Sequence, residues 1–398
     1  MMNSNFMLVF KKELLDIFRD KKTIFITILI PLLLFPVIFF IMGNTMDKTV
    51  KEVNEQIKIT IEDSKDSSLS KFLKEQKNIK VIESNDIEKS IEDGEINLAI
   101  KIPDNFDDQL KNGVVSDVSL IYDNVAQSSM MASELVDQYI QDYSKDIVKQ
   151  RLEEKNINPQ ILTPIQVKEV AIDKDNEGHG KFILSLLLPL FLMIYCVSGP
   201  MPAATDLGAG EKERGTLEPL LTTKANRLSL LYGKLLAITV MGVLTSLCSV
   251  ISLLITFKIT PDIFTGGSGG NVSVGLDPKA LIIIFIFIVL TTMAFGALEL
   301  AISIYARSFK EAQTYLTPLT LLSFVPVYMT YMLDIKNVSL VYLNIPIANV
   351  VVIIKEVISS VYNPVHIGIV LAWVIVYTVV SIYIAKIMFN KENVIFRT

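Results

Sequence analysis

Thr23-Ile-Phe-Ile-Thr-Ile-Leu-Ile-Pro-Leu-Leu-Leu-Phe-Pro-Val-Ile-Phe-Phe-Ile-Met-Gly43 carries no charged side chain. At a rise of about 1.5 Å per residue, a helix of this length crosses the roughly 30 Å hydrocarbon core of a bilayer. It has to be a helix, because lipid offers no partner for an unpaired backbone N–H or C=O. Pro31 and Pro36 are tolerated there as kinks. The run is too long for the apolar region of a signal peptide, and no small-residue cleavage site follows it, so it reads as a retained anchor.

Working outward, further apolar runs occupy residues 182–204, 230–257, 280–305, 315–333 and 367–389. The fold class is therefore an α-helical polytopic membrane protein with six transmembrane helices. Residues 345–361 are also apolar, but they follow Pro346 and are broken by Lys355 and Glu356. They predict a re-entrant or interfacial helix, with a seventh span as the alternative. Ahead of the first run, within residues 1–22, Phe6, Phe10, Leu14 and Ile17 recur at helical spacing, opposite Lys11, Lys12, Asp16 and Arg19. This predicts an amphipathic helix on the membrane surface.

Between the first two runs lies a different material. Residues 44–180 hold 28 acidic and 17 basic residues, whereas the whole chain has a net charge of −5. Ile57-Lys-Ile-Thr-Ile61 alternates at period 2, as a half-buried strand does. Residues 79–82, 96–102 and 118–122 read as further strands. Residues 70–76, 86–93 and 128–155 read as helices. The alternation predicts a small α/β domain with its own core, long enough to fold as one unit.

Orientation follows the short loops, where Lys and Arg stay on the cytoplasmic side. Lys11, Lys12, Arg19, Lys21 and Lys22 flank the first run, Lys212, Arg214, Lys224 and Arg227 follow the second, Arg307 and Lys310 follow the fourth, and Lys391 and Arg397 end the chain. The other side shows Lys258, Lys279 and Lys336 beside Asp262, Asp277 and Asp334, together with the flexible Gly266-Gly-Ser-Gly-Gly270 loop. Six spans thus put both termini in the cytoplasm and make the 44–180 domain extracytoplasmic. No basic tract suggests nucleic acid. Cys196 and Cys248 both lie in apolar runs and read as buried thiols without a redox role.

Catalytic motifs are missing. His179 and His366 are far apart in the chain, and Gly233-Lys234 lacks the upstream glycine of a phosphate-cradling loop. The informative stretch is Asp206-Leu-Gly-Ala-Gly-Glu-Lys-Glu-Arg-Gly-Thr-Leu-Glu-Pro-Leu-Leu-Thr-Thr223, within a cytoplasmic segment 205–228. Gly210 and Gly215 permit sharp turns, and Thr216 can cap a short helix bearing Leu217, Leu220 and Leu221. Such a charged knob with an apolar face suits docking. A solvated loop with positive-inside charges reads equally well.

One carboxylate, Glu299, falls inside the fourth run. Burying it costs about 2.5–3.5 kcal/mol on insertion scales, so it should face a polar path or a partner. Thr291 and Thr292 lie deeper in the same run and would extend such a path. The alternative is that Glu299 snorkels to the nearby end of the span or pairs with Arg307.

Gly210-Glu-Lys-Glu-Arg-Gly-Thr-Leu-Glu-Pro-Leu-Leu221, followed by Arg227-Leu228 and Gly233-Lys234, resembles the membrane subunits of type-2 ABC exporters, most closely the permeases of NatB-type sodium-efflux systems. The order of surface helix, first span, large external domain and five further spans is similar as well. The resemblance implies a separate ABC ATPase that binds ATP–Mg, a permease homodimer in the bacterial cell membrane, and export from the cytoplasm. It also implies that the matching stretch meets the ATPase, through Glu211, Glu213, Arg214, Thr216, Leu217 and Glu218. The cofactor then belongs to the partner, and this chain carries none. Related permeases serve drugs, lipids and peptides, so export of drugs or peptides stands beside sodium. A reading from another class is a membrane-anchored sensor or assembly protein, which the large acidic domain motivates and the missing signalling motifs disfavour.

Overall fold

The structure, a computed structural model, describes residues 2–165, 167, 178–221, 226–261, 264, 275–331 and 333–391. The Gly266–Gly270 loop, Lys224 and Arg397 lie outside them. The chain divides into two units, Met1–Phe40 with Ala171–Thr398, and Ile41–Val170.

The first elements are α1 (Met2–Arg19), α2 (Lys21–Ile24) and α3 (Ile30–Glu55), with a π-helical stretch Phe25–Leu29 between the last two. Asp20 separates α1 from α2. Its side chain accepts from the Lys22 amide at 3.0 Å and the Thr23 hydroxyl at 2.5 Å, supplying the oxygen that a helix N-terminus lacks. The helical stretch Lys21–Glu55 outruns the predicted span 23–43 by a dozen residues at its far end.

The inserted unit contains β1 (Ile57–Glu62), α4 (Ser68–Lys74), β2 (Ile79–Val81), α5 (Ile87–Glu92), β3 (Leu98–Lys101), α6 (Phe106–Lys111), β4 (Ser119–Tyr122) and α7 (Gln127–Glu154). Its four strands lie in the order β2-β1-β3-β4. β1 runs parallel to β2 and β3, with Ile59 opposite both Val81 and Leu98, and β4 closes the sheet antiparallel to β3. Ile57, Ile59, Leu98 and Ile100 are buried against Leu69 and Leu73 of α4 and Ala132 and Val136 of α7. The Ser129 hydroxyl of α7 donates to the Asn97 carbonyl at 2.5 Å, and Tyr139 donates to Asn78 at 3.0 Å. Leu73 is fully buried in this core. Leu73→Ala is therefore expected to destabilise the insert by about 2–5 kcal/mol, read as faster proteolysis between residues 56 and 126 of the full-length protein.

The other unit continues with α8 (Gly178–Ser198), α9 (Met201–Thr205), a π-helical stretch Asp206–Gly210, α10 (Glu211–Glu213), α11 (Leu217–Leu221), α12 (Arg227–Ile259), α13 (Pro278–Tyr305), α14 (Phe309–Met329), α15 (Ala348–Ile358) and α16 (Pro364–Asn390). Side-chain oxygens start the long helices. Asn226 accepts from Leu228 N, Asp277 from Lys279 N, Ser308 from Glu311 N and Asn363 from Val365 N. In α13 and α16 a proline fills the first turn, where its missing N–H is not needed.

Among the described residues, five helical stretches are long and apolar enough to cross a membrane: Lys21–Glu55, Gly180–Glu213, Arg227–Ile259, Pro278–Tyr305 and Pro364–Asn390. The predicted fifth span is helical as α14, but it is not one of these five. Its first turn carries Lys310 and Glu311, and it holds Pro318 and Pro326. α15 has 11 residues, all buried, and at about 1.5 Å each it is too short to cross alone. The Lys355 ammonium donates to the carbonyls of Thr330 and Tyr331 at 2.5 and 2.8 Å, just beyond the C-terminus of α14. This is where the helix dipole favours a cation. Glu356 contacts the His366 ring at 2.6 Å. The two charges that break the apolar run thus fasten α15 to its neighbours.

Candidate functional site

The segment that sequence reading singles out is mostly helical. Asp206–Gly210 continues the preceding helix with π geometry, and Gly210 has φ −62°, so it makes no sharp turn. The turn falls at Gly215, whose φ of +66° suits a residue without a Cβ. The short helix carrying Leu217, Leu220 and Leu221 forms as α11. Thr216 Oγ1 lies 3.2 Å from the Glu211 carbonyl and donates to it.

Two sides of this segment differ. Glu213 and Arg214 are exposed, as is Thr216. Glu213 Oε2 accepts from the Phe309 amide at 2.8 Å, holding the segment to the start of α14, and Arg214 pairs with Asp206 at 2.7 Å. Lys212 donates to the Ala306 carbonyl at 3.3 Å. Glu211 and Leu217 are instead buried. They serve the protein's own packing, and among the described site candidates Glu213, Arg214 and Thr216 are the exposed ones. The Glu218 side chain lies outside the described residues.

Glu211 enters a charge cluster that sequence reading missed. Lys234 of α12 is fully buried, and its ammonium sits 2.6 Å from Glu211 Oε1, 3.4 Å from Glu13 Oε1 and 3.2 Å from the Leu207 carbonyl. Lys12 of α1, half exposed, reaches Glu13 at 3.2 Å, Glu211 at 3.8 Å and Asp16 at 3.7 Å. Burial pulls the Lys12 ammonium down, but Glu13, Glu211 and Asp16 together hold its pKa above the ordinary lysine value. A buried charge is tolerated when it is paired and hydrogen-bonded, and here two carboxylates answer one buried lysine while a second lysine balances the sum.

The neighbouring glycine completes the joint. A Cβ at Gly233 would lie 2.7 Å from Val9 Cγ1 and 3.1 Å from the Phe10 amide nitrogen. α1 therefore lies directly on the backbone of α12. Val9, Phe10 and Ile17 pack into a core with Leu230, Leu231 and Leu235. Part of the apolar face predicted to rest on the membrane is thus taken up by α12, while Met7, Leu8, Leu15 and Phe18 stay exposed. Gly233-Lys234 was the legible signal: glycine for close approach, lysine for the ion pairs.

Glu299 is wholly buried in α13, and neither of its oxygens has a hydrogen-bond partner. It neither snorkels nor pairs with Arg307. Thr291 and Thr292 are buried too, with unpartnered hydroxyls. The structure does not place these residues beside the Glu213–Thr216 face. Thr291 lines a separate groove of about 390 Å³ with Phe295, Leu298, Ile347, Val350 and Tyr377. At its edge Ile347 has φ +70° and ψ −52°, a strained conformation for a β-branched residue. Among the described residues, no group of three or more His, Cys, Asp or Glu side chains is placed to hold a metal ion.

Residues 21–386 match the model of the ABC-2 family transporter proteins. The chain is 29% identical over 388 residues to the ABC transporter permease protein NatB of Bacillus subtilis (strain 168), covering 97% of this chain and 98% of that one. No solved structure matches it. The chain belongs to the ABC-2 family of transporter permeases, multi-pass membrane proteins that work with an ATPase subunit.

Proposed function

We propose that this permease is the membrane half of an ATP-driven exporter that moves sodium out of the cytoplasm. In this reading α14 is the fifth of six spans, α15 re-enters the membrane, residues 44–180 form an extracytoplasmic domain, and both termini are cytoplasmic in a bacterial cell membrane. Two copies of the chain pair, each with an ATPase subunit that carries ATP–Mg.

The observation that carries the reading is the joint between Glu211, Lys234, Glu13 and Lys12. ATP binding draws two ATPases together, and the push arrives at the exposed Glu213–Thr216 face. A free loop would absorb that push. Here the same segment is tied by buried ion pairs to α1 and α12 and by the Glu213–Phe309 bond to α14. Movement of the loop is therefore movement of the spans. The chain does no bond chemistry and supplies a lever. Glu299, Thr291 and Thr292 are the polar groups that this reading assigns to the substrate path.

Sodium is favoured by the resemblance to NatB-type permeases. A second reading, export of an apolar drug or peptide, is favoured by the 390 Å³ groove, whose walls are almost wholly apolar apart from Thr291, Tyr377 and Ser381. Reconstitution with the partner ATPase separates them. Vesicles with the ATPase facing outward, placed in sodium-containing medium, should accumulate sodium when ATP is added. ATP hydrolysis without sodium movement, stimulated instead by an apolar amphiphile, would replace sodium with the second reading.

A further inference from the structure

Glu299 poses a problem that the lever does not solve. An ionised carboxylate with no hydrogen bond from the protein is strongly disfavoured in a helix bundle. It nevertheless stands in line with a row of small and polar residues. On α13, Thr292, Gly296, Glu299 and Ser303 recur every three or four residues and so share one face. On α12, Gly242, Ser246, Ser249, Ser252 and Thr256 do the same, and all are buried.

The two faces meet. A Cβ at Gly242 would strike the Thr292 side chain, and one at Gly296 would lie 2.9 Å from Ile238. Cys196 of α8 stands beside them, 3.4 Å from the Ser246 hydroxyl. On α12 three hydroxyls turn back to a carbonyl of their own helix, Ser246 to Gly242 at 2.8 Å, Ser249 to Ser246 at 2.7 Å and Thr256 to Ser252 at 2.8 Å, while Ser303 of α13 donates to the Thr205 carbonyl at 3.3 Å. Thr292 and Ser252, like Glu299, are left without a partner. Thr256 lies fourteen residues beyond Gly242, about 21 Å along the helix, and Glu299 lies seven residues beyond Thr292 in the other direction, about 10 Å. The seam therefore reaches about as far as the hydrocarbon core is thick.

We propose that Glu299 is a proton-exchanging site at one end of this seam. In the closed packing seen here the carboxyl holds its proton. When the lever parts α12 from α13, water enters, the O–H bond breaks and the proton passes to water, leaving the carboxylate. Reclosure requires a proton to be taken up again, so each cycle can move one proton. The proposal rests on the reading of the chain as the moving part of an exporter.

The ionisable groups that neighbouring elements carry near this depth are engaged elsewhere or lie apart. Lys234 of α12 is bound to Glu211 and Glu13, and Asp206 to Arg214. Glu311 of α14 accepts from the Arg307 amide and the Tyr315 hydroxyl. Lys310 of α14, Tyr383 and Lys386 of α16 and Cys196 of α8 make no hydrogen bond to Glu299, whose oxygens have none.

The test uses the permease–ATPase complex in lipid vesicles and dicyclohexylcarbodiimide, an apolar reagent that reaches protonated carboxyls through the bilayer and leaves a stable acylurea. Peptide mass spectrometry should find the adduct on Glu299. Its rate should fall about tenfold per pH unit once the carboxyl deprotonates, be unchanged by sodium, and vanish in Glu299→Gln. In transport assays Glu299→Gln should abolish the pH dependence of the ATP-driven cycle, and Glu299→Asp should retain it. Absence of an adduct at every pH would overturn the proposal. Protection by sodium would overturn it too, by making Glu299 a sodium ligand. Labelling as expected in a complex that transports nothing would leave the proton site standing and remove the exporter reading.

Discussion

Lys234→Ala should lower the thermal midpoint of the solubilised protein by about 6–20 °C, the range that corresponds to about 3–5 kcal/mol in a unit of this size. The substitution leaves Glu211 and Glu13 facing each other across the gap where the ammonium sat 2.6 and 3.4 Å from them. Glu13 is fully buried and Glu211 nearly so. The loss is therefore the penalty of uncompensated buried charge, several times what an exposed ion pair contributes. The same logic predicts a rescue. Glu13→Gln, Glu211→Gln and Lys234→Met together remove every uncompensated charge in the core of the cluster, and most of the midpoint should return. A midpoint unchanged within about 2 °C in Lys234→Ala would show that the cluster does not hold α1 to α12.

Arg214→Glu should do the opposite, leaving the fold intact and weakening the assembly. Arg214 is exposed and its pair with Asp206 is a surface pair, whose contribution to stability is below about 1 kcal/mol. It lies beside Glu213 and Thr216 on the part of the segment that is free to meet another protein. Charge reversal at such a rim acts on association. A loss of about tenfold in affinity for the ATPase, or about 1.4 kcal/mol, is expected, with coupled transport falling in step. Titration of detergent-purified permease with the ATPase measures the first, and thermal unfolding checks that the fold is unchanged. A variant that binds normally would move the docking face away from Arg214.

The long apolar runs were legible because lipid allows one solution to a charge-free stretch of this length. Ile57-Lys-Ile-Thr-Ile61 announced β1 by its period, and the match with the observed strand is within a residue. α6 was not legible. Its six residues follow Pro103-Asp-Asn, which reads as loop, and only Phe106 is buried. The extent of α3 was hidden for a related reason, since Asn44 to Glu55 are polar and helical beyond the apolar run. At the site, sequence reading grouped Glu211 and Leu217 with Glu213, Arg214 and Thr216 as outward contacts, whereas the first two are buried. Glu211 read as a candidate contact for the ATPase, and Lys234 as part of the Gly233-Lys234 pattern that enters the next run. What makes them a joint is that α1 crosses α12 at Gly233, a tertiary fact carried by residues far apart in the chain. Glu299 was legible as an anomaly, but its isolation from Arg307 required the packing of α13.

The proposed contact between the ATPase and the segment around Arg214 is what would drive the spans. Its most direct test is a cysteine scan for cross-linking to the ATPase in the assembled complex, in a background where Cys196 and Cys248 are replaced by Ser. Cysteines at Glu213, Arg214 and Thr216 should link to the ATPase, and a cysteine at Val115, exposed on the inserted unit, should not. Cross-linking at Val115, or none at the three segment positions while the complex stays assembled, would contradict the account.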